Sequence, residues 1–137
     1  GKWEMGNGKW EMGNGSEGGG MTKPHEQLEA WKVSMNLVKS VYDLTAKFPP
    51  EERYGLSQQM RRAAVSIPSN IAEGSGRNHS KEYLQFLAIS RGSLAELETQ
   101  LQIAVMLGFA QPTYAAFELA DRAGRLLTGL HKKWSTI

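Results

Sequence analysis

The residues of this 137-residue chain that could do chemistry are three histidines, a scatter of serines, one glycine pair and a set of arginines and lysines. His25, His79 and His131 fall near the chain start, in a glycine-rich connection and in the last helical segment, and no pair has metal-ligand spacing. A bundle-type di-iron site needs Glu-x-x-His on two helices plus further glutamates, and that pattern does not occur. Ser66, Ser69, Ser90 and Ser93 have no histidine near them in sequence to act as a base, so they read as small residues at a helix contact. Gly74-Ser75-Gly76 follows a helical segment, whereas a phosphate-cradling glycine loop follows a strand. The chain lacks cysteine, which removes disulfides, Cys-ligated zinc, iron–sulfur clusters and thiol nucleophiles. No catalysis, metal or cofactor is therefore expected.

Charge is what remains. Arg53, Arg61, Arg62, Arg77, Lys81 and Arg91 gather around the second and third helical segments, and Arg122, Arg125, His131, Lys132 and Lys133 fall on the fourth. Arg77 and Lys81 flank the glycine pair and are the first candidates for contact with RNA or DNA phosphates, followed by Arg91. The competing reading pairs Arg77 and Lys81 with Glu73 and Glu82. Lys132 and Lys133 suit a helix C-terminus, where they complement the dipole. The net charge of +2 is too small to announce a nucleic-acid partner by itself. No apolar run approaches the roughly 20 residues that cross a bilayer, and no secretory leader is recognisable, so a cytoplasmic protein without a membrane partner is expected.

Composition divides the chain at residue 20. Residues 1–20 hold eight of the 15 glycines and two of the four tryptophans, and read GKWEMGN twice before a glycine-rich run. Each repeat carries two Gly and one Asn, which argues against a helix. The seven-base unit GGGAAAT, repeated, translates as Gly-Lys-Trp-Glu-Met-Gly-Asn, so translated repeat DNA is the favoured origin, with Met21 as the start of the native domain. A designed tag and a marginal hairpin turning at Asn7-Gly8 are the alternatives. Outside this leader 14 basic residues stand against 11 acidic ones, a net of +3.

Residues 21–137 recur in apolar character at three and four, and breakers divide them into four helices. The first runs from Pro24 to Lys47, before Phe48-Pro49-Pro50. The second starts near Glu51 and Glu52 and reaches Glu73. The third, with Ser80 as N-cap, runs to Gly108, about 27 residues or roughly 40 Å. Pro112 and Thr113 open the fourth, which ends near Trp134. Helices of similar length with short connections form an all-α, antiparallel up-down-up-down four-helix bundle. Core stripes follow Leu87, Ser90, Leu94, Leu97, Leu101 and Ala104 on the third helix, and Tyr114, Phe117, Ala120, Gly124, Leu127, Leu130 and Trp134 on the fourth.

The first helix has apolar residues to spare. Leu28, Trp31, Met35, Val38 and Tyr42 make one stripe and Val33, Leu37, Val41, Leu44 and Phe48 another, about 130° away. A monomeric bundle needs only one, so the surplus predicts a homo-oligomer, with Val33, Leu37, Val41 and Leu44 assigned to the subunit interface. The plainer alternative seats one stripe under the connection between helices two and three.

In the second helix Pro68 predicts a bend, and Ala63, Ala64, Ser66, Ser69 and Ala72 permit close approach of the third. Folding about residues 76–79 places Glu96 level with Arg61 and sets Asn70 and Glu73 near Phe86 and Tyr83. A structural polar network of Arg61, Arg62, Asn70, Glu73 and Glu96 is expected, with an ion pair from Arg61 or Arg62 to Glu96.

The stretches YGLSQQMRRAAVSIPSNIAEGSGR (residues 54–77) and SKEYLQFLAISRGSLAELETQLQIA (residues 80–104) closely resemble the bacterial four helix bundle proteins, also called the 23S rRNA-intervening sequence proteins. The resemblance covers about residues 25–135. It implies a bundle assembling as a homopentamer, with no established enzymatic activity. Relatives include the accessory protein of diversity-generating retroelements, a pentamer that partners a reverse transcriptase and presents basic surface to nucleic acid. Ser75 departs from the larger or aromatic residue expected between the two glycines. The reading taken from residues and resemblance together is a non-enzymatic, homo-oligomeric adaptor associated with nucleic acid. The alternative is a protein-interaction scaffold that binds none.

Overall fold

The computed structural model describes residues 3–6, 9–12 and 23–136. Two strands, β1 (Trp3–Gly6) and β2 (Lys9–Met12), pair antiparallel with Trp3 opposite Met12 and Gly6 opposite Lys9. This strand pairing is that of the hairpin alternative, while Asn7 and Gly8 themselves lie outside the described residues. The glycine-rich remainder of the leader and Met21 lie outside the described residues.

From residue 23 the chain is helical. α1 (Glu29–Thr45), α2 (Leu56–Ser75), α3 (Ser80–Met106) and α4 (Ala115–Ser135) pack in chain order, and α4 closes against α1 while the diagonal pairs stay apart. This is the up-down-up-down four-helix bundle. The ends differ from the sequence reading for local reasons. Pro24 opens a separate 3-10 turn (Pro24–Gln27), and Leu28 is extended before α1 begins. Glu51 and Glu52 likewise lie in a 3-10 turn, but Glu52 still serves α2, because its Oε1 accepts the Leu56 N–H at 3.3 Å. His79, not Ser80, occupies the N-cap of α3, without a side-chain bond. At the far end of α3, Gly108 adopts φ +81°, while the Phe109 N–H reaches Ala104 O at 2.8 Å and the Gly108 N–H reaches Val105 O at 3.0 Å. That double bond is a Schellman stop.

Gly74 does not end α2, which continues to Ser75. A Cβ at 74 would stand 2.7 Å from Phe86 Cβ and 2.9 Å from Tyr83 Cδ1, so its glycine is required by close approach of α3. α2 also runs unbroken through Pro68, which is buried. Around the proline the carbonyls of Val65, Ser66 and Ile67 each receive a side-chain donor: Ser69 Oγ at 2.7 Å, Asn70 Nδ2 at 2.8 Å and Ser90 Oγ at 2.8 Å.

The core is built by the α3 stripe as expected, with Leu37, Met60, Ile67, Ile71 and Leu127 facing it. On α4 the buried positions are Ala116, Ala120, Ala123 and Leu127, and Tyr114 is exposed. On α1 the assignment of stripes is reversed. Val33, Leu37, Val41 and Leu44 are buried within their own bundle and cannot form a subunit interface. They point between α2 and α4, flanked by the small buried Ala30, Ser34 and Thr45, which let those helices close over them. The surplus is the other stripe: Trp31 and Val38 are half-buried, and Met35 and Tyr42 are 43% and 41% exposed.

Candidate nucleic-acid interface

The three residues nominated for phosphate contact do not converge. Arg77 leaves the α2 C-terminus and is enclosed by acids: its Nη2 lies 3.0 Å from Glu73 Oε1 and its Nη1 4.0 Å from Glu82 Oε2. Its guanidinium also covers the Phe86 ring at 4.9 Å. Arg77 therefore clasps the α2–α3 connection, the pairing of the competing reading, with its side chain still 41% exposed. Lys81 and Arg91 are exposed on α3, but ten residues separate them, about 15 Å of rise and about 80° of rotation. The basic side chains of α4 are partly neutralised too, Arg125 by Asp121 and Arg122 by Glu29 of α1 at 3.7 Å.

The expected polar network is divided between two helix contacts. Asn70 Nδ2 reaches Ser66 O at 2.8 Å and Ser66 Oγ at 3.0 Å, and Ser66 Oγ lies 2.8 Å from Ser93 Oγ. The serines thus meet across α2 and α3, about three residues further along α2 than the sequence register placed them. Arg61 belongs to the other contact. Its Nε donates to Thr45 Oγ1 at 2.8 Å, its Nη2 to Tyr42 O at 3.5 Å, and its guanidinium lies 4.5 Å from the Tyr42 ring centroid. Neither arginine pairs with Glu96, which instead accepts from Gln100 Nε2 at 3.1 Å. Arg61 turns towards α1 because Thr45 and Tyr42 supply an acceptor pair and a ring face there, and Arg62 is left exposed.

Between the end of α1 and the start of α2 the structure assembles a group that sequence reasoning missed. Arg53, Arg61 and Arg62 line an open groove of about 510 Å³ together with Tyr42, Tyr54 and Gln58. A second cleft, between Thr45, Pro49, Pro50 and Ser57, opens from the same Arg53 and Arg61. Among the described residues no carboxylate lines either one. Tyr54 is 82% exposed. Part of this was available in the spacing, since Tyr54, Gln58, Arg61, Arg62 and Val65 recur at three and four. Tyr42 joins only through the pairing of α1 with α2.

Electrostatic perturbations are mild. Burial beside Trp31, whose ring centroid is 5.0 Å away, holds the His25 imidazole below its ordinary value. Burial, aided by Asp121 across the α3–α4 contact, raises the Glu98 carboxyl. Burial also raises the Tyr83 phenol, which packs edge-on to Trp134. Among the described residues no group of three or more metal-ligating side chains gathers, and no helix is long and apolar enough to cross a membrane.

No curated protein matches the chain. A crystal structure of a protein of unknown function from the S23 ribosomal protein family of Bacteroides thetaiotaomicron shares the fold, with a TM-score of 0.69 at 19% identity over 75% of this chain and 95% of that one. The family model for the 23S rRNA-intervening sequence protein matches residues 26–129, nearly the whole bundle, and by that match the chain belongs to the 23S rRNA-intervening sequence protein family.

Proposed function

We propose that the protein is a non-enzymatic, cytoplasmic adaptor that assembles as a closed homo-oligomer, a pentamer, and associates with RNA or DNA through basic surface. The observation that carries the assembly is the apolar strip left open on the bundle: Met35 on α1, 43% exposed, flanked by half-buried Trp31 and Val38. A second apolar patch lies at the α3–α4 connection, where Met106 is 76% and Leu107 51% exposed. Two different patches on one chain suit a heterologous contact, the kind that closes into a ring. Ring closure multiplies the net charge and aligns basic groups on a common face, which strengthens attraction to a polyanion.

Light scattering at several salt concentrations, with and without single-stranded and structured RNA, tests this reading. The expected mass is about five times the 15.2 kDa of one chain, with RNA gained at low salt and released at high salt. Met35→Glu combined with Leu107→Glu, one change in each patch, is expected to yield single chains that keep their helical content. A single-chain mass for the unaltered protein overturns the assembly, and a pentamer indifferent to nucleic acid moves the function to a protein-docking scaffold.

A further inference from the structure

Most basic side chains with assigned partners in the bundle are answered by acids: Lys32 by Glu29, Lys39 by Asp43, Arg77 by Glu73 and Glu82, Arg122 by Glu29 and Arg125 by Asp121. Lys47, Lys81, Arg91, Lys132 and Lys133 lack an ion pair among the described residues; what sets the groove at the start of α2 apart is that three arginines line one concavity. Among the described residues Arg53 and Arg62 form no ion pair, and no carboxylate stands in the groove wall. Arg61 between them is immobilised by Thr45 and by the face of Tyr42, with its Nη1 uncommitted. A guanidinium held in place before a ligand arrives loses little freedom on binding. Three uncompensated cations around one concavity also focus positive potential there.

The aromatic groups narrow the ligand further. Tyr54 leaves the short connection before α2 with its ring 82% exposed, which costs apolar surface in water unless something stacks on it. Gln58 places an amide, both donor and acceptor, on the same wall. Guanidinium groups for phosphates, an open ring for a base and an amide for a base edge together make the elements of a single-strand site. A duplex keeps its base faces stacked inside, so only unpaired bases can use the ring.

The geometry points to this groove, with Arg53, Arg61 and Arg62 on the phosphates and Tyr54 under a base, as a binding site for single-stranded nucleic acid. The inference rests on the nucleic-acid reading above and places the contact at the opposite end of α2 from Arg77 and Lys81. Arg61 also braces α1, so the tests leave it in place.

Fluorescence anisotropy of a labelled single-stranded RNA with the full-length protein decides the matter, alongside a fully paired duplex and a polyglutamate competitor, with the mass of each variant checked by light scattering. Arg53→Glu with Arg62→Glu is expected to weaken binding at least tenfold and to reduce the slope of log affinity against log salt by about 1.4, two single-strand phosphate contacts. Tyr54→Ala is expected to weaken it roughly 5- to 150-fold with little change in that slope. Lys81→Glu with Arg91→Glu should change affinity by less than either. If the unaltered protein binds RNA but the groove variants bind equally well, the site is elsewhere and the broader reading stands. RNA binding absent from the unaltered protein overturns both. Tyr54→Ala without effect, or polyglutamate competing as well as RNA per charge, overturns the single-strand site in favour of an acidic protein partner.

Discussion

α2 meets α3 through small residues whose polar atoms answer one another, and meets α1, at its opposite end, through an arginine lying on a tyrosine beside an open groove. The first contact has Ser66 on Ser93, Ser90 on the Ile67 carbonyl and Gly74 against Phe86. It hides its polar groups by pairing them inside the fold, and nothing is left for a ligand. The second leaves the side chains of Arg53, Arg62 and Tyr54 at the surface without a hydrogen-bond or ion-pair partner among the described residues. The same helix is thus structural where its side chains are short and mutually satisfied, and available for binding where they are long and unanswered.

The contrast is broken most severely at Gly74. Gly74→Ala sets a methyl group 2.7 Å from Phe86 Cβ, close to the α3 backbone where little can yield, and is expected to cost about 1–3 kcal/mol in urea unfolding. Ser90→Ala removes a buried bond to a carbonyl beside Pro68 and is expected to cost about 1 kcal/mol, read the same way. Arg61→Ala should lower stability by about 0.5–1.5 kcal/mol through loss of Thr45 and the Tyr42 face. A double-mutant cycle with Glu96→Gln should show no coupling beyond about 0.3–0.5 kcal/mol, whereas one with Thr45→Val should.

The smallest effects come from titration. The raised Glu98 carboxyl binds more protons in the folded state than in the unfolded one between pH 4.5 and its folded value. Stability from Glu98 therefore grows as pH falls through that window, and Glu98→Gln should remove this part of the profile with a change below about 0.5 kcal/mol at pH 7. The depressed His25 imidazole acts oppositely, since its stability is lost as pH falls below 6.5. Thermal melts of both His25→Gln and Glu98→Gln across pH 4–7 separate the two, whose slopes have opposite sign.

Periodicity and breakers carried most of the fold. The α3 stripe is continuous and unambiguous, because it faces the interior along its whole length. α1 has two apolar stripes, and apolar spacing alone does not say which faces inward; the small residues Ala30, Ser34 and Thr45 beside the Val33–Leu44 stripe were the overlooked sign. The residues named for phosphate contact fail to converge for a related reason. Arg77 beside glycines looked free, yet Glu73 at four residues' distance is one helical turn away and captures it. The groove needed Tyr42, twelve residues before Tyr54 and on another helix, so single-helix spacing showed only half of it.

The order of packing has a consequence for how the chain is made. Among the described residues each α-helix touches its chain neighbours, and the one contact between α-helices not adjacent in the chain is that of α1 with α4. During synthesis from the N-terminus, α2 and α3 can dock as soon as both have emerged, since their connection is short and the entropy of closing it is small. The inward stripe of α1 must wait for Ala115–Ser135. Until then Leu37 and Val41, which end with no exposed surface, lie open along one side. The nascent three-helix intermediate is therefore the stage most vulnerable to aggregation, and truncation within α4 should harm solubility more than any change at the groove.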